Sequence, residues 1–459
     1  MLKIAVISPN DTAEGVVKQL LSPWLVAFSK PDEADVIVAY ETLKEAGKPT
    51  VMIPSETIEF HRWFKENKLQ VIEAWGKKIK VPATETIKLT LTPQTKHFYS
   101  KFDHSRIIDD ESLAMQVDDT TFLLPLDIIE EYDLKLSQIL DPHVSLTYRF
   151  LTGLPIPYTL APSKLRSFLF SAKRVKHDYS YIDCLDLDAF RYLLVRGIEK
   201  AIGEPLQRKT WKGHKCACLI THDVDSRQGL QRALILKRIE ERYDIQSTWF
   251  IPTEQYKLDS GVLLKLANHG EVGAHGTRHD GRLIWLSKEE VAERLYSARQ
   301  VLERMVGGRV VGFRAPLLQH NKTILRALKE EGYLYDMSIP TWESKHPSVL
   351  GPHGIETVYS INLHGIVEIP LSVPQDHQMI NVGGFTAKQT TVKWLEMKDK
   401  IKELGGILTI SVHPDYGFAD EKNLRYYEEL LSELSSDIDA RIILPNNYAR
   451  EQCDSLKLA

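Results

Sequence analysis

The sequence is poor in the features that mark several large classes of protein. It contains only 4 cysteines among 459 residues, too few for a scaffold built on disulfides. Cys184, Cys216, Cys218 and Cys453 show no zinc-binding spacing, and period-2 geometry predicts that Cys216 and Cys218 share one buried face of a strand. No apolar run reaches the roughly 18 residues that a membrane-spanning helix needs. We therefore expect a globular protein that does not span a membrane.

Strong charge and nucleotide-binding loops are also missing. The formal net charge is −4, which gives no electrostatic reason to expect nucleic acid or an anionic membrane as a partner. The first 95 residues contain neither Gly-x-Gly-x-x-Gly nor a phosphate-binding loop, so we assign no nucleotide. The chain begins with a short apolar run followed by Pro9 and Asn10, too short for the core of a signal peptide. We accordingly expect a cytoplasmic location.

Apolar periodicity divides the chain into three segments. Residues 1–95 alternate strand-like and helix-like stretches, including a predicted helix at 55–67, and indicate a small parallel α/β domain. Residues 96–205 form a mixed segment with a proline-rich connector at 153–162. Residues 206–459 repeat strand-then-helix units, which is typical of a (β/α) barrel. Eleven of the 16 histidines lie in this last segment.

The first chemical motif is Thr-His-Asp-Val-Asp at the end of a predicted strand. Asp223 and Asp225 are two positions apart, so both carboxylates face the same way on an extended strand. Two such charges repel each other unless a cation lies between them, which suggests a metal ion. A pair of solvated turn aspartates is the alternative. His222 points to the opposite face of the strand, and we interpret it as structural.

The second motif is His-Gly-Thr-Arg-His, directly after another predicted strand. His275 and His279 are four apart, so they can share one ion on the same side of a helical turn. Two unrelated surface histidines are the alternative. One aspartate and two histidines would form an open three-ligand site at the strand ends, where barrel enzymes keep their ligands.

Two further strand ends carry polar residues. Arg314 follows a strand in Gly-Phe-Arg-Ala-Pro and could hold a carboxylate with its guanidinium group, or lie on the surface beside a rigid turn. His413 ends the buried run Leu-Thr-Ile-Ser-Val-His, where an imidazole suits proton transfer near neutral pH. A hydrogen-bonded structural histidine is the alternative reading of His413.

The four motifs, in this order, resemble those of the polysaccharide deacetylases, also called the NodB-homology or carbohydrate esterase 4 superfamily. The resemblance covers somewhat more than half of the chain, about residues 206–450, and implies a distorted (β/α)7 barrel. It implies that Asp225, His275 and His279 bind one divalent metal ion. Zinc is the preferred ion, and cobalt, nickel, iron or manganese suit the same ligands.

The resemblance also implies catalytic roles. Asp223 would be the general base, Arg314 its partner and His413 the general acid, although which of Asp223 and Asp225 is the base stays open. The backbone N–H of Leu317 would stabilise the oxyanion, and Asp336 is a candidate for tuning His413. Two residues, Pro316 and Tyr416, are expected to contact the substrate. Three more polar residues near the motifs stay unranked: His320, His377 and Asp415.

The leading hypothesis is a metal-dependent hydrolase that removes N-acetyl groups from an amino-sugar-containing substrate. A cytoplasmic enzyme would meet a soluble oligosaccharide, a sugar nucleotide or a lipid-linked precursor. Two alternatives stay open: hydrolysis of a non-sugar linear or cyclic C–N amide bond, and an inactive barrel that binds glycan or serves as a scaffold. The sequence does not define the oligomeric state.

Overall fold

The fold is taken from a computed structural model. It describes residues 1–8, 11–40, 47–53, 69–74, 77–82, 115–116, 120–124, 127–144, 146–153, 185–343 and 353–458. The helix predicted at 55–67 and nearly all of the connector predicted at 153–162 lie outside these residues. None of the described helices combines the length and the apolar character that crossing a membrane requires.

The chain forms two compact units. The first contains Met1–Ser137 and Asp183–Lys209, and the second contains Gln138–Ile182 and Thr210–Leu458. The division assigns part of the middle of the sequence to each unit. The candidate functional residues all belong to the second unit.

The first unit is built on a mainly parallel sheet, as its alternating pattern predicts. The strand order is β2-β1-β3-β4-β8-β7, and only the β7–β8 pair is antiparallel. A separate antiparallel pair is formed by β5 and β6. The strands are β1 (Leu2–Ile7), β2 (Val26–Phe28), β3 (Val36–Tyr40), β4 (Thr50–Ile53), β5 (Leu69–Ala74), β6 (Lys77–Pro82), β7 (Met115–Gln116) and β8 (Thr121–Leu123). The helices are α1 (Asp11–Leu21), α2 (Ile128–Leu140), which extends into the second unit, and α4 (Asp186–Ile202).

The second unit contains the predicted barrel-like sheet. Its parallel strands follow the order β15-β13-β12-β11-β10-β9-β16, with β14 antiparallel at the edge and β17 paired to β9. The curled α/β sheet confirms the predicted fold class. The strands are β9 (Cys216–Asp223), β10 (Thr248–Ile251), β11 (Glu271–Ala274), β12 (Gly312–Phe313), β13 (Tyr335–Asp336), β14 (Ile361–Leu363), β15 (Ile366–Glu368), β16 (Ile407–Ser411) and β17 (Ala440–Ile442).

Helices alternate with these strands. They are α3 (Leu146–Gly153), α5 (Arg227–Arg242), α6 (Ser260–His269), α7 (Lys288–Val306), α8 (Lys322–Glu330), α9 (Ala387–Leu404), α10 (Leu424–Ser436) and α11 (Pro445–Leu458). Short helical turns cover Leu283–Trp285, Pro316–Leu318, His377–Val382, Gly417–Ala419 and Glu421–Asn423. A capping box begins α7, because the Ser287 side chain accepts from the Glu290 N–H and the Glu290 side chain accepts from the Ser287 N–H.

The residue pairing between neighbouring strands explains why the polar motifs lie close together. Asp223 pairs with Phe250, Ile251 with Ala274, and Ala274 with Phe313, so the carboxyl ends of these parallel strands lie at one edge. Below that edge the sheet interior is filled by buried apolar side chains such as those of Leu219 and Ile369. The polar residues that follow the strands are therefore displayed together above a packed core.

Candidate active site

The segments that follow the carboxyl ends of β9 and β11 supply three side chains that could hold a metal ion. Asp225 follows β9, and His275 and His279 follow β11. One ligand atom from each residue lies within 4.8 Å of the others. His275 Nε2 is 3.5 Å from Asp225 Oδ1, and His279 Nε2 is 3.9 Å from Asp225 Oδ2. The three residues that the sequence combined into a ligand set are therefore neighbours in space.

Hydrogen bonds orient this set in the way that a metal requires. His275 Nδ1 lies 2.8 Å from the carbonyl oxygen of Arg314, so Nδ1 carries the hydrogen and Nε2 presents its lone pair. Asp225 Oδ1 is buried and has no hydrogen-bond partner among the described residues. An unpaired buried carboxylate oxygen is costly unless a cation satisfies it. The donor types and the orphaned oxygen together fit a divalent metal ion.

Asp223 is held from two sides. Arg314 Nη1 donates to Asp223 Oδ1 over 3.0 Å, and Gln375 Nε2 donates to Asp223 Oδ2 over 3.0 Å. Arg314 is fully buried and also donates to the hydroxyls of Thr221 and Ser411 and to the carbonyl of Met337. Burial alone would raise the pKa of Asp223, but the positive charges of Arg314 and the nearby histidines keep it below its ordinary value. Asp223 is thus a fixed, ionised carboxylate beside the triad.

His413 is the other proton-transfer group at this edge. Its Nδ1 lies 2.6 Å from Asp376 Oδ1, and its backbone N–H donates to Asp376 Oδ2 over 3.0 Å. Burial alone would lower the pKa of His413, but Asp376, Asp225 and Asp223 raise it to about 10. A protonated His413 therefore presents Nε2, which lies 3.8 Å from Asp223 Oδ2.

The carboxylate that contacts His413 is Asp376, and this corrects the choice of Asp336 made from the sequence. Asp336 ends β13 and pairs in register with Glu368 on β15. Its Oδ1 accepts from Ser338 Oγ, which in turn accepts from the Ala315 N–H. Asp336 is fully buried and is held by Ser338 beside its in-register neighbour Glu368, whereas Asp376 holds His413.

Asp415, which the sequence analysis left unranked, holds the backbone of Asp225, one of the three candidate metal ligands. Its Oδ2 accepts from the Asp225 N–H over 3.0 Å, and its Oδ1 accepts from the Ser226 hydroxyl. A Cβ on Gly229 would lie 2.5 Å from the Asp415 carboxylate oxygens, so only glycine permits this approach. Asp415 therefore fixes the turn that carries Asp225.

The segment after Arg314 has unusual backbone angles. Leu317 and Leu318 have φ of 57° and 52°, a left-handed conformation that is strained for leucine. A Cβ on Gly276 would lie 3.4 Å from Pro316, and a Cβ on Gly281 would lie 3.4 Å from the Leu317 side chain. The structure therefore brings Pro316 and Leu317 against the loop that carries His275 and His279.

Aromatic rings lie beside His413. The Tyr416 ring stacks on His413 with centroids 5.0 Å apart, and the His377 ring lies 5.3 Å from Tyr416. His320 Nδ1 lies 2.8 Å from the Leu318 carbonyl oxygen, and its Nε2 lies 2.6 Å from His353 Nε2. His222 is fully buried between Glu240 and Val412, in agreement with its structural interpretation.

Sequence reasoning missed Gln375 and Asp376. Both lie in the loop after β15, and neither belongs to a repeated spacing that would single it out. The only local signal is the change from an apolar strand to the polar run Gln-Asp-His-Gln at residues 375–378.

One edge of the curled α/β sheet carries two histidines, two neighbouring aspartates and a third, protonated histidine. This combination is typical of metal-assisted hydrolases. Comparison with known proteins narrows the class: residues 217–335 match the family model described as polysaccharide deacetylase. This confirms the resemblance to that family over residues 217–335. The matched region contains the metal set, Asp223 and Arg314, and ends before Asp376 and His413.

Individual proteins are similar over part of the chain. A peptidoglycan deacetylase-like protein of Gibberella zeae is 28% identical over 137 residues, 28% of this chain, and the match spans only 40% of that protein. Among solved structures, a Mycobacterium smegmatis protein described as a polysaccharide deacetylase is 18% identical, with a TM-score of 0.45 over 54% of this chain and 94% of its own. An allantoinase is 16% identical, with a TM-score of 0.43 over 53% of this chain and 93% of its own.

Proposed function

We propose that the second unit is a metal-dependent hydrolase that removes N-acetyl groups from an amino-sugar-containing substrate. The observation that carries the proposal is the position of the Asp225, His275 and His279 ligand atoms, within 4.8 Å of one another, beside a carboxylate and a protonated histidine. The family match supports the acyl-transfer chemistry.

The metal ion would be held by Asp225, His275 and His279, and we propose zinc because imidazole and carboxylate ligands suit it. When bound, a divalent ion supplies Lewis acidity that polarises an acyl oxygen and lowers the pKa of water. Asp415 and the Arg314 carbonyl keep two of these ligands in position.

Proton transfer would be divided between two side chains. Asp223 accepts the proton of the attacking water, and Arg314 keeps its carboxylate ionised and oriented. His413 Nε2 then gives its proton to the leaving amine, while Asp376 accepts the Nδ1 hydrogen and stabilises the imidazolium. Water adds to the acyl carbon, the C–N bond breaks, and acetate and a free amine leave.

The remaining sequence candidates would contact the substrate. The Leu317 N–H, in its left-handed turn, would donate to the developing oxyanion. Pro316 borders the histidine loop and Tyr416 stacks on His413, so we propose that they contact the acyl and amine sides of the bond. A weakly polar sugar requires no strong field, in keeping with the net charge of −4.

The proposal is tested by acetate release from N-acetylglucosamine oligomers. The wild-type protein loaded with zinc should release acetate, and Asp223→Asn and His413→Asn should each lower the rate about 10²- to 10⁴-fold. His364→Asn is a matched control, because His364 is exposed and has a φ of 52° that asparagine tolerates. Wild-type rates in both His413→Asn and Asp223→Asn would contradict the proposal.

A further inference from the structure

The acid and the base of this site are close but do not touch. His413 Nε2 and Asp223 Oδ2 are 3.8 Å apart, whereas an N–H···O hydrogen bond spans about 2.7–3.2 Å. A direct bond between a protonated imidazole and a carboxylate would be strong in this buried place. Such a bond would also engage the proton that His413 must donate, and the oxygen on which Asp223 must accept the proton of water. Something therefore has to keep the two groups apart.

The side-chain amide of Gln375 is bound to the Asp223 oxygen nearest His413. Its Nε2 donates to Asp223 Oδ2 over 3.0 Å, and Oδ2 is the oxygen that faces His413. The same Nε2 lies 3.3 Å from Ser411 Oγ, and the residue is only 9% exposed. With Arg314 on Oδ1, both oxygens of Asp223 are held by donors that carry no transferable proton.

The neighbouring residue restrains the acid. Gln375 is followed by Asp376, whose carboxylate holds the Nδ1 side of His413. The segment is itself anchored, because Trp394 Nε1 donates to the Pro374 carbonyl over 2.9 Å and the Gln375 N–H donates to Gln378 Oε1 over 2.8 Å. One fixed stretch of backbone thus sets the position of both proton-transfer groups.

We infer that Gln375 is a positioning residue that holds Asp223 away from His413. Its amide competes for the one carboxylate oxygen through which the two groups would join. The kinetic consequence rests on the proposed function, whereas the geometric consequence does not. A glutamine fits this task because its amide donates a hydrogen bond without adding charge.

The geometric test is a crystal structure of the full-length Gln375→Met variant. Methionine keeps the volume of glutamine and removes the donor. The distance between His413 Nε2 and Asp223 should fall from 3.8 Å to about 2.8 Å. A distance that stays above about 3.5 Å would overturn the inference. Gln375→Ala, which removes the donor without adding a new group, serves the same purpose if Gln375→Met does not fold.

The kinetic test separates this role from a structural one. Gln375→Met should lower kcat for acetate release about 10- to 100-fold, with KM and metal content unchanged. In an Asp223→Asn background it should cause no further loss, because its effect passes through Asp223. Gln389→Ala is the control, since Gln389 contacts Thr386 at the start of α9. Independent, additive losses would contradict the inference. A wild-type protein that releases no acetate would refute the proposed function, and the crystal distance would still decide the role of Gln375.

Discussion

Replacing Asp376 with asparagine should change both the stability and the pH dependence of this protein. Asp376 Oδ1 lies 2.6 Å from His413 Nδ1, and both side chains are buried. Burial alone would lower the pKa of His413, but Asp376 and the more distant Asp225 and Asp223 raise it from 6.5 to about 10. This rise in the pKa of His413 corresponds to about 5 kcal/mol in favour of the protonated folded form.

The sign of the effect follows from the raised pKa of His413. Its contribution to stability is fully present below pH 6.5 and is lost as the pH rises through about 10. Asp376→Asn keeps the shape of the side chain but removes its charge. We expect the free energy of unfolding to fall by about 3 kcal/mol at pH 6, and this deficit should shrink as the pH approaches 10. In catalysis, the basic limb of the pH–rate profile should move to lower pH.

Urea unfolding at several pH values and acetate release across the same range measure these two effects. Asp336→Asn is the matched control, because Asp336 is an equally buried aspartate that pairs with Glu368. It should leave the basic limb of the profile unchanged. A deficit of equal size at pH 6 and near pH 10, or an unmoved basic limb in Asp376→Asn, would refute this reasoning.

Other substitutions test other parts of the structure. Burial raises the pKa of Asp336 to about 6 and the pKa of Glu368 well above its ordinary value, so each buried acid weakens the fold as the pH rises above about 4. Glu368→Gln removes one of these ionisable groups and should raise the free energy of unfolding at pH 8 by about 1–3 kcal/mol, measured in urea. His222→Ala should cost about 3 kcal/mol of stability, because it breaks a buried pair with a glutamate, and elemental analysis should find its metal content unchanged. Gly229→Ala should displace Asp415 and weaken metal affinity about 10-fold in a titration.

The sequence predicted the parts of the site that follow strands. Parallel strands bring their carboxyl ends to one edge, so a polar residue directly after a buried apolar run is placed almost without further information. This holds for Asp223, His275, Arg314 and His413, which follow or end β9, β11, β12 and β16. The spacing of the histidines by four residues added a shared ligand geometry, and the structure brings them within reach of Asp225.

The residues that the sequence did not identify act across long separations. Asp376 reaches His413 over 37 residues, and Gln375 reaches Asp223 over 152. Their loop has no periodicity, so its path depends on packing such as the Trp394 contact with Pro374. Asp336 is the opposite case, because the sequence analysis assigned it to His413 and the structure shows Asp376 there instead. Asp336 ends β13 much as Asp223 ends β9, but its carboxylate accepts from Ser338 beside its in-register neighbour Glu368.

The most direct test of the central claim is the metal content of the purified protein. Elemental analysis of the wild-type protein after dialysis against zinc should find about one ion per chain, and Asp225→Ala should retain none while keeping its fold by circular dichroism. His222→Ala controls for the loss of a buried polar side chain beside the site. A folded Asp225→Ala variant with the same stoichiometry as the wild type would contradict the assignment of the metal site.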